Sequence, residues 1–211
     1  MKARFCLACG TRLVIVVDEG RRRRRCPRCG WIHYANPVPA TAAVVIAAGR
    51  LLLCRRGRRP YLHWWDLPGG FLESDEVPDM GLRRELREEL GVGTRHASLI
   101  GFVNERYGPD GFRVLVAIYR VTPASRRVRA HDDVCEVRWF PLARVPYRRV
   151  AFPAVRRMLR RYLRQLSASR SFEETGTNTA GVARRSTEGG VSPPLRGLVT
   201  GRKRRERAGS C

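Results

Sequence analysis

The sequence predicts an α/β (α+β) protein, a strand-rich body built around one helix and preceded by a small cysteine-bracketed module. Three observations carry this expectation. Residues 70–92 (GFLESDEVPDMGLRRELREELGV) contain a helical pattern in which Leu82, Leu86 and Leu90 recur every four residues. The segments on either side are apolar runs of strand length, separated by Gly- and Pro-containing turns. Near the start, Cys6-x2-Cys9 and Cys26-x2-Cys29 stand sixteen residues apart.

At 211 residues there is room for one medium domain with additions. Net charge is +23, and among the basic residues only Lys2 and Lys203 are lysines. Such a surplus attracts polyanions, a description that nucleotides and RNA both meet, and it equally fits a simple compositional bias toward arginine. No stretch approaches 18 apolar residues, so no transmembrane helix and no membrane partner are expected. The N-terminus, MKARFCLACG, lacks an apolar run of signal-peptide length. Seven cysteines, four of them in Cys-x2-Cys pairs, suit a reducing, cytoplasmic setting better than a disulfide scaffold.

Residues 1–35 read as a zinc ribbon. Gly10 and Gly30 follow the two cysteine pairs and free each knuckle to turn, while Leu13 to Val17 and the segment before Cys26 form a hairpin. Four thiolates from Cys6, Cys9, Cys26 and Cys29 close a tetrahedral Zn2+ site with no open position, which suits structure rather than catalysis. Arg21 to Arg25, in the hairpin tip or return strand, is either solvated loop charge or a phosphate or nucleic-acid contact.

Residues 36–166 form the body. Val38 to Ala48 is a nearly continuous apolar run, hence a buried strand, and Leu51 to Cys54 returns beside it after Gly49-Arg50. Arg55 and Arg56 close that strand and are candidates for substrate phosphate. A polar loop and Trp64-Trp65-Asp66-Leu67-Pro68 lead to the helix, expected from Pro78 to Leu90 with Gly91 as its stop. Ala97 to Val103 and Phe112 to Thr122 read as strands joined by a turn at residues 108–111, and Val134 to Phe140 as another. Phe152 to Leu166 is a basic amphipathic helix. Residues 167–211 lose periodicity and read as a basic, disordered tail able to associate weakly with RNA.

On the central helix Glu85, Glu88 and Glu89 fall on one face. Their mutual repulsion is tolerable on a solvated helix offset by arginines, and it becomes coordination if a hard divalent cation is present. Together with the preceding glycine turn and Glu76, the pattern points to a Mg2+-phosphate site.

Gly70, five residues, Glu76, seven residues, Arg84-Glu85-Leu86, one residue, Glu88-Glu89, one residue, Gly91-Val92 resembles the Nudix box at every defining position. The order of ribbon, apolar strand, LLLCRRG, WWDLPGGFLE, box and VRWF resembles zinc-ribbon Nudix hydrolases over most of residues 5–165. The resemblance implies a Nudix sandwich, a mixed sheet between helices, and a Nudix pyrophosphohydrolase that cleaves a nucleoside diphosphate linked to another moiety. It implies Mg2+ (or Mn2+) held by Glu85, Glu88, Glu89 and the Gly70 carbonyl, with Arg84 orienting Glu88 or pairing with Glu76. A further carboxylate downstream acts as base in such enzymes; Glu136 is the first choice, with Asp132, Asp133 and Glu105 as rivals. Arg106 and Tyr107, on the loop Asn104 to Gly111 between the strands Ala97 to Val103 and Phe112 to Thr122, are candidates for substrate contact.

Relatives of this layout act on ADP-ribose, FAD or NADH. The NADH pyrophosphatases carry an SQPWPFP-like motif after the box, which TRHASLIGFVNERYG here lacks, so ADP-ribose comes first. A nucleic-acid-binding or nucleotide-sensing regulator using the ribbon and arginines is the alternative, and the ribbon offers a surface for a homodimer. Two departures from the usual box, Val77 at the cap and Gly81 in the first turn, weaken the helix start. Val77→Ser and Gly81→Ala are thus expected to be neutral or to stabilise by up to about 1 kcal/mol each.

Overall fold

A computed structural model describes residues 3–108 and 111–176, with side chains through Ala168. The chain divides into two units, Met1–Arg160 and Arg161–Cys211. The tail expected beyond residue 176 lies outside the described residues.

The N-terminal module is a three-stranded antiparallel sheet of β1 (Val14–Asp18), β2 (Arg21–Arg25) and β3 (Ile32–His33). Among the described residues, Cys6, Leu13 and Cys26 form its buried cluster, with Ala3, Cys9 and Trp31 packed against them. A core this small cannot offset chain entropy alone, which makes the cysteine cluster the module's main support.

In the body, β4 (Val38–Ala47) and β5 (Arg50–Arg56) form a hairpin through Ile46–Leu51 and Ala47–Arg50. Short β6 (Trp65–Asp66) pairs with β5, followed by α1 (Pro78–Leu90) and the long strands β7 (Thr94–Arg106) and β8 (Arg113–Pro123). β9 (Val134–Pro141) lies along β5, and α2 (Pro153–Gly176) follows two short 3-10 turns. The mixed sheet runs β6-β5-β4-β8-β7, with β9 attached to β5. Its one parallel pairing, β4 with β8, places Val38 opposite Val114 and Val45 opposite Val121. β4 is buried at six consecutive positions, Ala40 to Val45, as a strand covered on two faces must be, whereas β8 turns Leu115, Arg120 and Thr122 to solvent. One core cluster joins Ala43, Val45, Leu52 and Cys54 to Leu82, Leu86 and Leu90 of α1. The four-residue leucine spacing is therefore the face by which α1 grips the sheet.

The helix α1 begins and ends at the expected residues. Gly91 takes φ +64° and its N–H closes on the Arg87 carbonyl, a left-handed C-terminal cap. Val77 makes no side-chain cap bond. Gly81 departs from expectation: a Cβ built there meets Leu72 Cδ2 at 2.3 Å and Glu76 Oε2 at 3.1 Å. A methyl at 81 would require the Leu72 side chain to shift, a packing cost set against the gain in helix propensity. The backbone of α2 also continues past the expected stop at Leu166, because residues 167–175 contain no proline or glycine to break it.

Candidate active site

The segment Pro68–Leu72 runs along β4. Ala43 N–H donates to Pro68 O (2.8 Å), Thr41 N–H to Gly70 O (2.9 Å), and Leu72 N–H to Pro39 O (3.2 Å). Two adjacent glycines are required here for different reasons. Gly69 has φ +139°, and a Cβ would lie 2.3 Å from the Thr41 carbonyl oxygen. Gly70 lies outside the left-handed region, but its Cβ would meet the Glu85 carboxylate at 2.4–2.8 Å. Glycine at 70 makes room for an acid. The Gly70 carbonyl keeps a second lone pair beyond the one used by Thr41.

Arg84 organises the acids of α1. Its Nε and Nη2 donate to the two oxygens of Glu76 at 2.7 and 2.9 Å, and Nη1 to Glu85 (2.7 Å) and Glu88 (2.9 Å). Nη2 also donates to the Phe71 carbonyl at 3.0 Å, which ties the glycine turn to the helix. The paired guanidinium holds the Glu76 carboxyl below its ordinary range. Glu89 lies apart from this hub. It is buried, and its Oε2 accepts the Gly69 N–H at 2.9 Å. Burial pushes its pKa well up against the pull of that N–H, and neighbouring Glu85, Asp133 and Asp66 push further. Burial raises Glu85 as well, with Arg84 opposing and Glu88 and Asp133 adding. The donors of Glu85, Glu88 and Glu89 are hard oxygens, the chemistry a divalent cation such as Mg2+ takes, with Glu85 and Glu88 turned here to Arg84 and Glu89 to the Gly69 N–H.

Beside these acids opens a cleft of about 670 Å³, mouth included, whose walls include Arg56, Asp66, Phe71, Tyr107, Asp133 and Phe152. Tyr107 stacks between Phe112 and Phe152, with ring centroids 5.6 and 5.7 Å away, and Phe71 meets it edge-on at 5.3 Å. Arg56 is fixed from three sides: Nη1 donates to Asp66 (2.9 Å), Nε to Pro60 O (2.9 Å) and Nη2 to the Tyr107 hydroxyl (3.4 Å), while its guanidinium lies 5.0 Å from the Phe152 ring centre. Burial lifts the Asp66 pKa to about 6 despite that arginine.

The structure separates the downstream carboxylates that the sequence leaves as rivals. Asp133 lines the cleft, pairs with Arg58, and has its carbonyl fixed by the Gly57 N–H at 2.7 Å. Glu105 is buried at the cleft wall and accepts the N–H groups of Ala154 (2.5 Å) and Arg106 (2.9 Å), so it caps the start of α2. Asp132 is exposed, in the left-handed region at φ +54°. Glu136, the first choice from sequence, does not line the cleft. It faces Arg55 across the β5–β9 pair and bonds Arg55 (3.4 Å) and Arg138 (2.5 Å). Arg55 is thereby also drawn away, and exposed Arg106 reaches only the Gly111 carbonyl at 3.4 Å. Of the expected substrate contacts, Arg56 and Tyr107 reach the cleft.

Asp66, Phe71 and Phe152 were not singled out as site residues from sequence. An acid set between tryptophans and a Pro-Gly turn was a usable signal for Asp66. The rings come from separate segments, and nothing local marks them.

In the ribbon, the four sulfurs lie within 4.8 Å of one another, with Cys6–Cys29, Cys9–Cys26 and Cys9–Cys29 separations of 3.6, 3.5 and 3.6 Å. A tetrahedron of Zn–S bonds of about 2.3 Å requires edges of about 3.8 Å, so the cage fits zinc with minimal adjustment. Gly10 and Gly30, at φ +72° and +78°, donate to the Cys6 and Cys26 carbonyls and turn each knuckle.

The family model described as NUDIX domain matches residues 36–162, and that described as Nudix N-terminal, a zinc ribbon, matches residues 4–35. The chain belongs to the Nudix hydrolase family. The NAD-capped RNA hydrolase NudC of Deinococcus radiodurans is 31% identical over 175 residues, covering 81% of this chain and 60% of that protein. The NudC of Pseudomonas aeruginosa PAO1 is 28% identical, covering 80% and 57%. The chain thus spans less than two thirds of the length of these Nudix relatives. An ADP-ribose pyrophosphatase of Methanocaldococcus jannaschii is 26% identical over 54% of this chain and 67% of its own. A crystal structure of a NUDIX hydrolase from Nitrosomonas europaea superposes with TM-score 0.63 at 27% identity, covering 79% of this chain and 93% of that one. The Nudix box identified here is α1 with its preceding turn.

Proposed function

We propose that this Nudix protein hydrolyses the pyrophosphate bond of a nucleoside diphosphate linked to another moiety, with ADP-ribose first and FAD or NADH as related substrates. The observation that carries this reading is the junction in one cleft of an aromatic wall, Phe71, Tyr107 and Phe152, with the acids Glu89 and Asp133, while Glu85 lies against Gly70 of the cleft wall. A base has rings to pack against, and its diphosphate falls toward the acids. We read residues 1–35 as ribbon, 36–166 as catalytic domain and 167–211 as tail, working in the reducing cytoplasm where the cysteines stay available to zinc.

Glu85, Glu88, Glu89 and the Gly70 carbonyl would hold Mg2+ or Mn2+. When bound, the ion neutralises the diphosphate oxygens and activates an attacking water. Arg84 aims Glu85 and Glu88, and Glu76 holds Arg84 in place. Asp133 is the carboxylate best sited to accept the proton from water, ahead of Glu105, whose oxygens are engaged by backbone amides. Arg56, braced by Asp66, positions Tyr107 and Phe152 for the base. The ribbon zinc has four protein ligands and takes no part in the chemistry.

The test is a comparison of kcat/KM with Mg2+ on ADP-ribose, FAD, NADH, nucleoside triphosphates and NAD-capped RNA. ADP-ribose should lead, and Asp133→Asn should lower turnover far more than Glu136→Gln. Preference for triphosphates would overturn the substrate assignment. An inactive Glu136→Gln beside an active Asp133→Asn would overturn the choice of base.

A further inference from the structure

The ribbon carries a charged surface that neither the zinc nor the hydrolytic cleft explains. In residues 1–35, nine basic side chains stand against only Asp18 and Glu19. Five of the nine are the whole of β2, Arg21–Arg25. Asp18 pairs with Arg23 at 2.9 Å, whereas Arg21, Arg22, Arg24 and Arg25 make no ion pair among the described residues. Side chains alternate along a strand, so register sorts these cations by face. Ile15, Arg24 and His33 stand side by side across the three strands, and Val17 and Arg22 form the neighbouring rung on the same face. Ile15 and Val17 are 53% and 76% exposed, so this face is open rather than packed against the body.

Aromatic groups adjoin the cations. His33 stacks on Trp31 with centroids 5.8 Å apart, and Tyr34, 53% exposed, holds the Arg23 guanidinium 4.6 Å from its ring centre. A groove lined by Ile15, Arg21–Arg24, His33 and Tyr34 runs over the sheet, taking in Arg23 and Tyr34 beside the Ile15 face, and a second along Trp31–Asn36 adjoins it at His33 and Tyr34. Together the two grooves make a path, not a pocket. Cations that follow a phosphate chain, interleaved with rings on which unpaired bases stack, are the requirements for holding a single strand without reading its sequence. A duplex hides its base faces and offers such rings nothing.

We propose that the open face of the ribbon sheet is a binding surface for single-stranded nucleic acid, with Arg22 and Arg24 on phosphates and Tyr34 stacking on a base. This surface is independent of which nucleotide the cleft hydrolyses. The experiment is fluorescence anisotropy of the full, zinc-loaded chain with a 5′-labelled 12-nucleotide single-stranded RNA at several salt concentrations. A duplex of equal length and vesicles containing phosphatidylserine serve as competitors.

The single strand should bind better than the duplex, which a purely electrostatic patch would prefer for its higher charge density. Arg22→Ala with Arg24→Ala should weaken binding at least tenfold and lower the slope of log K against log salt by about 1.4, at about 0.7 per lost phosphate contact. Tyr34→Ala should weaken binding about tenfold and leave that slope unchanged. All variants should keep one zinc per chain and the wild-type kcat/KM on ADP-ribose. Duplex preference, equal competition by the vesicles, or wild-type affinity in zinc-loaded ribbon variants would each overturn the proposal.

Discussion

Replacing Gly81 by alanine tests whether helix propensity or packing decides this position. In an exposed helix the change gains about 1 kcal/mol. Here the new methyl would lie 2.3 Å from Leu72 Cδ2, more than 1 Å inside the usual carbon–carbon contact of about 3.5–4 Å. Leu72 is half-buried and can turn only in part. The methyl also sits 3.1 Å from Glu76 Oε2, an oxygen already accepting from Arg84 at 2.9 Å and Glu73 N–H at 3.0 Å. Overpacking of this kind costs about 1–3 kcal/mol, so the net effect is a loss of about 1 kcal/mol. Urea unfolding of zinc-loaded protein should show the midpoint falling by about 0.5 M with an unchanged slope. In a Leu72→Ala background the obstacle is gone, and Gly81→Ala should become stabilising, a coupling of about 2 kcal/mol. Stabilisation by Gly81→Ala in both backgrounds would refute the packing account and restore the expectation from sequence.

Gly70→Ala should change stability by less than about 1 kcal/mol but displace the Glu85 carboxylate and lower kcat/KM on the order of a hundredfold, measured with saturating Mg2+. Glu89→Gln should lower turnover on the order of a hundredfold while stabilising the fold above neutral pH without added Mg2+. The sign follows from burial: the folded pKa of Glu89 lies well above its ordinary 4.5, so wild type loses stability as pH rises from there toward the folded value, and the glutamine variant does not. Unfolding curves at pH 4.5 and 8 check this, and a gain confined to acid pH would contradict it. Cys26→Ser should lower zinc content and melting temperature together, while the folded fraction keeps its Mg2+-dependent rate. Val77→Ser, at an exposed cap with no side-chain bond, should raise stability by up to about 1 kcal/mol in the same urea assay.

What the sequence made legible was local. The leucine spacing, the proline at the helix start and Gly91 together set both ends of α1, because each acts within a turn or two of itself. The cysteine spacing did the same for the ribbon, and the unbroken apolar run marked β4 as a strand covered on both faces. The box likewise placed Arg84 among its acids before any coordinates. What stayed hidden depends on which distant strands pair. Glu136 and Asp133 are three residues apart, yet the β5–β9 register turns one toward Arg55 and leaves the other in the cleft. The obstacle to a methyl at 81 was hidden too, since Leu72 is held beside the helix by its N–H bond to the Pro39 carbonyl of β4. Phe152 reaches the cleft because the Ala151 N–H meets the Trp65 carbonyl across 86 positions of chain, which no local pattern encodes.

The parallel pairing of β4 with β8 has a consequence for the order in which the protein assembles. Val38 meets Val114, so the turn, the box helix and β7 all lie within one closed loop. Closing about 76 residues costs on the order of 4 kcal/mol before any contact rewards it, and topologies dominated by such distant pairings fold slowly. During synthesis the edge of β4 that faces β8 therefore stays unpaired until residues as far as Val121 have left the ribosome. The ribbon waits for nothing comparable, because its strand pairings all fall between Val14 and His33. The charged ribbon can thus be complete before the pairing of β4 with β8 closes and the apolar strand is fully covered.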